Sequence, residues 1–273
     1  MERAASDALP HAKRPAPSLV EVQGHRGWGD SQPHNTLRAF RAAADHPGIS
    51  SVEFDVQQSA DGHLVVTHGA EVGPSAVPSQ SLAELQGPDL GHGERVPLLA
   101  DVVDVCLAGQ LLMNVEMKTA DTAVIDSTLA LLRKKDALQH CRISSFHRTA
   151  LEHVMQAAPD VPVGALYNPS LGPLDADDPA KGPRIQPTPE DFASWFKDHS
   201  VIGDSVNLRQ ETVTEQEVAT AKLHGKQVMV WCACLKGPGF EETAEEYRRL
   251  QSLGVDVICC NKPDLLADVV KSA

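Results

Sequence analysis

The hydrophobic residues of this chain fall into short runs, rich in valine, isoleucine and leucine, that alternate with amphipathic stretches. Short apolar runs of this kind are typical of strands that are buried on both faces of a parallel sheet. The runs predict eight strands, at 19–24, 51–56, 111–116, 141–144, 161–167, 201–207, 227–231 and 255–260.

Amphipathic stretches with helical spacing separate these strands. They predict helices at 35–45 (capped by Asn35 or Thr36), 96–107, 121–135, 148–157, 189–198, 213–224, 240–252 and 262–270, and a short extra strand at 64–67. Eight strand–helix units are the pattern of a parallel α/β sheet that closes into a TIM (β/α)8 barrel. We therefore expect one α/β domain over 19–273, preceded by a flexible tail over 1–18.

Length, charge and cysteine usage limit the class of protein. A chain of 273 residues suits one barrel, and a formal net charge of −13 makes nucleic acid a poor partner. No apolar run reaches the roughly 20 residues that span a bilayer, so we predict no stable membrane anchor. The cysteines lack the usual zinc-site spacing, which favours buried free thiols and a cytoplasmic location. They are Cys106, Cys141, Cys232, Cys234, Cys259 and Cys260.

Acidic residues stand where the predicted strands end, which is where a TIM barrel places its active site. Glu53 and Asp55 are two positions apart on one strand, so both face the barrel interior, and Glu116 of the next strand faces the same way. Buried unpaired carboxylates are costly, and a divalent cation would remove that cost. Oxygen ligands suit Mg²⁺, Ca²⁺ or Mn²⁺. The alternative to a metal site is that the acids pair with Arg or Lys.

Histidine and basic residues lie at the same rim. His25 and His68 follow different strands, and such a pair fits a general base and a general acid. Arg26 offers a guanidinium fork for phosphate oxygens, and Lys118 can neutralise a phosphate oxygen or pair with an acid. Other histidines are predicted at surface or loop positions: His11, His46, His63, His92, His140, His147, His153, His199 and His224.

A set of short motifs follows in order along roughly residues 20–268. They are His25-Arg26-Gly27, Pro33-His34-Asn35-Thr36-Leu37-Arg38-Ala39-Phe40, Glu53-Phe54-Asp55-Val56, Asp61-Gly62, Val65-Val66-Thr67-His68, Asn114-Val115-Glu116-Met117-Lys118, Ser144-Ser145-Phe146, Val230-Trp231, Gly254-Val255-Asp256 and Pro263-Asp264. As an ordered set they resemble the glycerophosphodiester phosphodiesterase family.

The resemblance implies a TIM barrel that hydrolyses a small phosphodiester, a glycerophosphodiester, to an alcohol and glycerol 3-phosphate, in lipid and glycerol metabolism. It also implies one divalent metal ion. The implied residues are His25 and His68 for acid/base catalysis, Arg26, Lys118 and Trp231 for the substrate, and Glu53, Asp55 and Glu116 for the metal. Whether the nucleophile is water or a substrate hydroxyl stays open.

The chain departs from the family pattern at three places. His34 stands where the family usually has Glu, Gly69 where it usually has Asp after the second histidine, and Asn261-Lys262 where it usually has Asp-Arg. A histidine in place of a carboxylate alters the charge balance near His25. Two alternatives remain. One is a lysophospholipase D on the same centre, which an apolar rim in the 168–187 loop would indicate. The other is a catalytically silent phosphodiester-binding homologue, for which His34 and Gly69 are the evidence.

Overall fold

The predicted strands pair side by side into one sheet. The computed structural model describes residues 20–69, 72–73, 75–167, 192, 196, 203–232 and 241–272. The strands are β1 (Glu21–Gly24), β2 (Ser51–Gln58), β3 (Leu64–Val66), β4 (Leu112–Met117), β5 (Cys141–Ser145), β6 (Val163–Leu166), β7 (Ser205–Arg209), β8 (Gln227–Trp231) and β9 (Val257–Cys260). The helices are α1 (Leu37–Asp45), α2 (Leu82–Leu85), α3 (Leu99–Ala108), α4 (Thr122–Lys134), α5 (Arg148–Ala157), α6 (Glu215–Leu223), α7 (Ala244–Ser252) and α8 (Pro263–Lys271).

The sheet closes because β1 pairs in parallel with both β9 and β2. The first and last strands of the barrel are thus neighbours, with Val22 opposite Ile258. The extra strand β3 pairs antiparallel with the end of β2 and lies outside the ring. Within the described residues, eight parallel strands form the closed ring, which confirms the predicted TIM barrel.

Alternation along each strand separates a polar interior from an apolar exterior. On β2, Val52, Phe54 and Val56 are fully buried in the layer between the sheet and its surrounding helices. The residues between them, Glu53 and Asp55, therefore face the inside of the barrel. Along the interior of β8 and β9 the lining is apolar instead, formed by residues such as Met229 and Val257.

The structure departs from the predicted element bounds mainly near prolines and near polar strand ends. The helix predicted from 96 begins at Leu99, because the carbonyl of Pro97 accepts a hydrogen bond from Val66 N and holds that segment extended. The helix predicted from 240 begins at Ala244, where Thr243 caps it. The strand predicted to end at 207 extends to Arg209.

Some predictions fall on residues that the structure does not describe. The tail over 1–18 and the 168–187 loop lie outside the described residues, and so does Cys234. Of the helix predicted over 189–198, only residues 192 and 196 are described, and both are helical. The other cysteines are buried and free, as predicted: Cys106, Cys141, Cys232, Cys259 and Cys260. Among the described helices, none combines the length and the apolar character that crossing a bilayer requires.

Replacing Phe54 with alanine should lower the free energy of unfolding by about 3–5 kcal/mol. The Phe54 side chain is completely buried, and its ring meets Phe40 edge-on with 5.6 Å between centroids. Truncation leaves a cavity that the barrel layer refills only in part. Urea denaturation measures the change, with Leu223→Ala as the control, since Leu223 is 85% exposed and should shift stability by less than about 0.5 kcal/mol.

Candidate active site

Three carboxylates meet at the C-terminal end of the barrel. Asp55 on β2 lies directly opposite Glu116 on β4, and Glu53 is on the same face of β2. The ligand oxygens of Glu53, Asp55 and Glu116 all lie within 4.8 Å of one another, and all three residues are buried. In the described part of the chain, Glu53 Oε1 is buried without a hydrogen-bond partner. This donor set and its unsatisfied oxygen fit a divalent cation, so the cluster could hold a metal ion.

Two basic side chains pair with the same carboxylates. Lys118 Nζ lies 2.7 Å from a Glu116 oxygen and 3.0 Å from an Asp55 oxygen, and Arg26 Nε lies 3.3 Å from the other Asp55 oxygen. The acids therefore pair with Lys118 and Arg26, which was the alternative to a metal site, and they also lie close enough together that they could hold an ion. With every group ionised, three carboxylates and two cations leave one net negative charge.

The pKa values of the clustered carboxylates are shifted in opposite directions. Burial, together with the neighbouring carboxylates of Asp55 and Glu116, raises the pKa of Glu53 well above its usual range. Burial would also raise the pKa of Asp55, but the Lys118 and Arg26 cations hold that pKa well below its usual range. Without a metal ion, Glu53 is thus the carboxylate that most readily holds a proton, and a cation would have to displace it.

The turn after β1 brings Arg26 to the carboxylates through an unusual backbone conformation. Arg26 has a φ of 55° and Asn35 a φ of 56°, both in the left-handed region. In this turn Arg26 N donates to Glu53 Oε2 at 3.1 Å, and the Arg26 carbonyl accepts from Asn35 N at 3.1 Å. Strained backbone of this type persists where surrounding contacts fix it, and here those contacts belong to the site.

Asn35 belongs to the site, although it is suggested by the sequence only as a helix cap. Its Nδ2 donates to Asp55 Oδ2 at 2.8 Å, while Thr36 is the residue that caps α1 by accepting from Ala39 N. Asparagine suits this position because it tolerates the left-handed conformation better than most residues.

The two histidines predicted to be catalytic lie at the same rim. His25 is buried; its Nδ1 lies 2.9 Å from Asn261 Oδ1, and its Nε2 lies 3.7 Å from Glu53 Oε2. Burial and the nearby Arg26 charge lower the pKa of His25 to about 3, so its imidazole is neutral at physiological pH. His68 is half-buried and directly follows Thr67, whose backbone N donates to the carbonyl of Asp55 at 3.0 Å. A positive charge on His68 contributes to lowering the pKa of Asp55.

Trp231 forms an aromatic wall at the end of β8. Its ring meets Phe146 edge-on, with 6.2 Å between centroids, and Arg209 Cζ lies 5.7 Å from its ring centroid. Arg209 in turn pairs with Glu211 at 2.7 Å. Arg209 was not predicted from the sequence, because the strand was predicted to end at 207. Its position directly opposite Trp231 is set by the pairing of β7 with β8.

The departures from the family pattern differ in whether they contact the residues of the candidate site. Asn261 contacts His25 directly. His34 is half-buried, and a positive charge on it would lower the pKa of His25. Gly69 has a φ of 108°, a conformation that an aspartate rarely adopts, so the backbone itself differs from what an Asp there would favour. His147, predicted at a surface or loop position, is in a loop but is buried.

Known proteins share both the sequence pattern and the barrel of this chain. The model of the Glycerophosphoryl diester phosphodiesterase family matches residues 25–265. A glycerophosphodiester phosphodiesterase of Caldanaerobacter subterraneus subsp. tengcongensis is 26% identical over 265 residues, covering 92% of this chain and 97% of that protein. One of Bacillus altitudinis is 24% identical over 266 residues, covering 90% and 96%. A solved phosphodiesterase of Oleispira antarctica, in complex with the product sn-glycerol-3-phosphate, has a TM-score of 0.74 at 21% identity, covering 93% and 97%.

Proposed function

Because the chain belongs to the glycerophosphoryl diester phosphodiesterase family, whose members are phosphoric diester hydrolases, we propose that it hydrolyses a glycerophosphodiester to an alcohol and glycerol 3-phosphate. The observation that carries this proposal is the buried cluster of Glu53, Asp55 and Glu116, beside His25 and His68. The glycerol 3-phosphate bound to the Oleispira antarctica relative supports the same product for this chain.

Charge balance supports a metal ion and a singly charged diester as the occupants. A divalent cation on the cluster would turn its one net negative charge into about one positive charge, which a phosphodiester monoanion then neutralises. Bound there by Glu53, Asp55 and Glu116, the ion would offset charge that develops on the phosphoryl oxygens. The oxygen ligands favour Mg²⁺ or Ca²⁺, with Mn²⁺ as a further choice.

The protein side chains carry the remaining roles. We infer that Arg26 and Lys118, which face Asp55 at 3.3 and 3.0 Å, bind the phosphoryl oxygens beside the cluster. His25 and His68 carry out the two proton transfers of the reaction. One takes a proton from the nucleophile, and the other gives a proton to the leaving alkoxide. Trp231, at the end of β8 and opposite Arg209, would contact the substrate.

Hydrolysis of glycerophosphocholine and glycerophosphoethanolamine should require a divalent cation and stop in EDTA. The assay measures release of the alcohol, choline or ethanolamine, with Mg²⁺, Ca²⁺ or Mn²⁺ supplied one at a time. Lysophosphatidylcholine is the third substrate, and its turnover also releases choline. Turnover of the lysolipid alone would replace the proposal by lysophospholipase D activity. Retention of the soluble diesters without product would replace it by a silent binding protein, with His34 and Gly69 as the first residues to revert.

A further inference from the structure

Behind His25, on the side away from the carboxylate cluster, a chain of polar contacts leads to a buried glutamate. His25 Nδ1 lies 2.9 Å from Asn261 Oδ1. Asn261 Nδ2 donates to Glu242 Oε1, and Asn261 N donates to Glu242 Oε2 at 2.8 Å. Tyr247 also donates its hydroxyl to Glu242 Oε2. Glu242 is only 7% exposed and lies just before Thr243, the cap of α7.

The glutamate fixes which way the Asn261 amide points. A carboxylate can only accept, so the side-chain atom of Asn261 that faces Glu242 must be the amide nitrogen. The carbonyl oxygen then faces His25. That oxygen can only accept, so Nδ1 of His25 must be the protonated ring nitrogen in this contact.

This tautomer puts the lone pair of the imidazole on the ring nitrogen that faces the carboxylate cluster. With the proton on Nδ1, the neutral imidazole carries its lone pair on Nε2, the atom that lies 3.7 Å from Glu53 Oε2 and faces the carboxylate cluster. A neutral imidazole with its lone pair toward the reaction centre is a general base; the opposite tautomer is not.

We propose that Glu242 is a positioning residue that acts through Asn261 to hold His25 as the Nδ1–H tautomer, and so makes His25 the general base of the reaction. The inference rests on the proposed function, since it assigns one of the two proton-transfer roles to His25. It gives Asn261 a purpose as well: an asparagine backed by a carboxylate presents a fixed acceptor to the histidine while carrying no charge itself.

Glu242→Gln should reverse the chain of donors and acceptors. The glutamine is isosteric, and its Oε1 can keep the bonds from Asn261 N and Tyr247, which turns its amide nitrogen toward the Asn261 side chain. Asn261 would then flip and present Nδ2 to His25, which moves the imidazole proton to Nε2. In Ser-His-Asp hydrolases a wrong histidine tautomer alone lowers kcat by about 10⁴-fold. We expect a fall in kcat of at least ~10²-fold, with KM within about threefold of the wild-type value.

The double variant Glu242→Gln/Asn261→Asp should restore activity. The glutamine amide donates to one oxygen of the new aspartate, and the other oxygen accepts from His25 Nδ1, so the original tautomer returns. We expect kcat within about tenfold of wild type, a recovery that loss of packing would not produce. Glu241→Gln is the matched control, because Glu241 is the exposed neighbour of Glu242 and should leave kcat unchanged.

Nitrogen-15 NMR of the histidine ring shows which nitrogen carries the proton, independently of enzyme activity. Spectra at neutral pH with Mg²⁺ present, assigned by the signal missing from His25→Ala, should show Nδ1–H in wild type and in the double variant, and Nε2–H in Glu242→Gln. Asn261→Leu, which removes the acceptor, covers the case in which Glu242→Gln does not fold, and it should lose the single tautomer.

The outcomes separate this inference from the proposed function. An unchanged tautomer in Glu242→Gln or Asn261→Leu, near-normal kcat in Glu242→Gln, or a double variant as inactive as the single one would overturn the positioning role. A wild-type protein that shows the Nδ1–H tautomer but hydrolyses no diester would leave the positioning of His25 standing and remove the proposed reaction.

Discussion

Turnover of a glycerophosphodiester should fall by at least ~10²-fold when His25 or His68 is replaced by alanine, while fold and metal binding stay intact. In the proposed reaction the imidazoles move the protons, and they are not among the clustered carboxylates that could hold a metal. Removing either ring therefore takes away a proton donor or acceptor in the transition state and leaves the binding groups in place.

Steady-state kinetics on the preferred substrate and calorimetry of metal binding measure the two quantities separately. His63→Ala is the control, because His63 is an exposed histidine on the turn before β3 and should keep wild-type turnover. A His25 or His68 variant with near-normal kcat would remove that histidine from the mechanism. A variant that loses metal affinity together with turnover would make it part of the metal site instead.

We expect a divalent cation to stabilise the wild-type protein, and Glu53→Gln should abolish that stabilisation and lower turnover by at least ~10²-fold. A cation bound only to the folded state raises the free energy of unfolding by about 2.7 kcal/mol at one hundred times its Kd. Glu53 is the ligand to change because one of its oxygens is buried without a hydrogen-bond partner in the described part of the chain.

Thermal unfolding with Mg²⁺, Ca²⁺ or Mn²⁺ and with EDTA measures the effect, and Glu241→Gln is the exposed control. The pKa of Glu53, raised by burial and by neighbouring carboxylates, gives the pH dependence its sign. Protonated Glu53 competes with the cation, so metal affinity should weaken as the pH falls. A Glu53→Gln protein that keeps the full metal-induced rise in Tm would exclude Glu53 as a ligand.

Much of the barrel could be predicted because local patterns encode it. Strand positions follow from apolar runs, and the bounds of α5 and β8 agree with the sequence prediction to the residue. Where the bounds failed, a tertiary contact decided them. Pairing with β8 extends β7 to Arg209, and a hydrogen bond from β3 to Pro97 delays the start of α3.

The carboxylates of the candidate site could be predicted from the sequence, but the residues that hydrogen-bond to them were harder to predict. Glu53 and Asp55 share a face because the period of a strand is two residues, and their spacing of two can be seen in the sequence alone. Asn35 reads locally as a helix cap, but it donates to Asp55 twenty positions along the chain. No local pattern reports such a contact, because it depends on the left-handed turn that brings the segment back over the strand end.

The sequence by itself determined the closed barrel class, the family and the set of acidic, basic and histidine residues, since strand periodicity and ordered motifs are local properties of the chain. Only the tertiary structure decided how those residues are partnered. His25 and Asn261 are 236 positions apart, and they meet because β1 pairs with β9 when the sheet closes. Glu242 likewise reaches Asn261 only because its side chain, just before α7, is buried beside the end of β9. Such distances across a fold are set by closure and register, which a one-dimensional pattern does not contain.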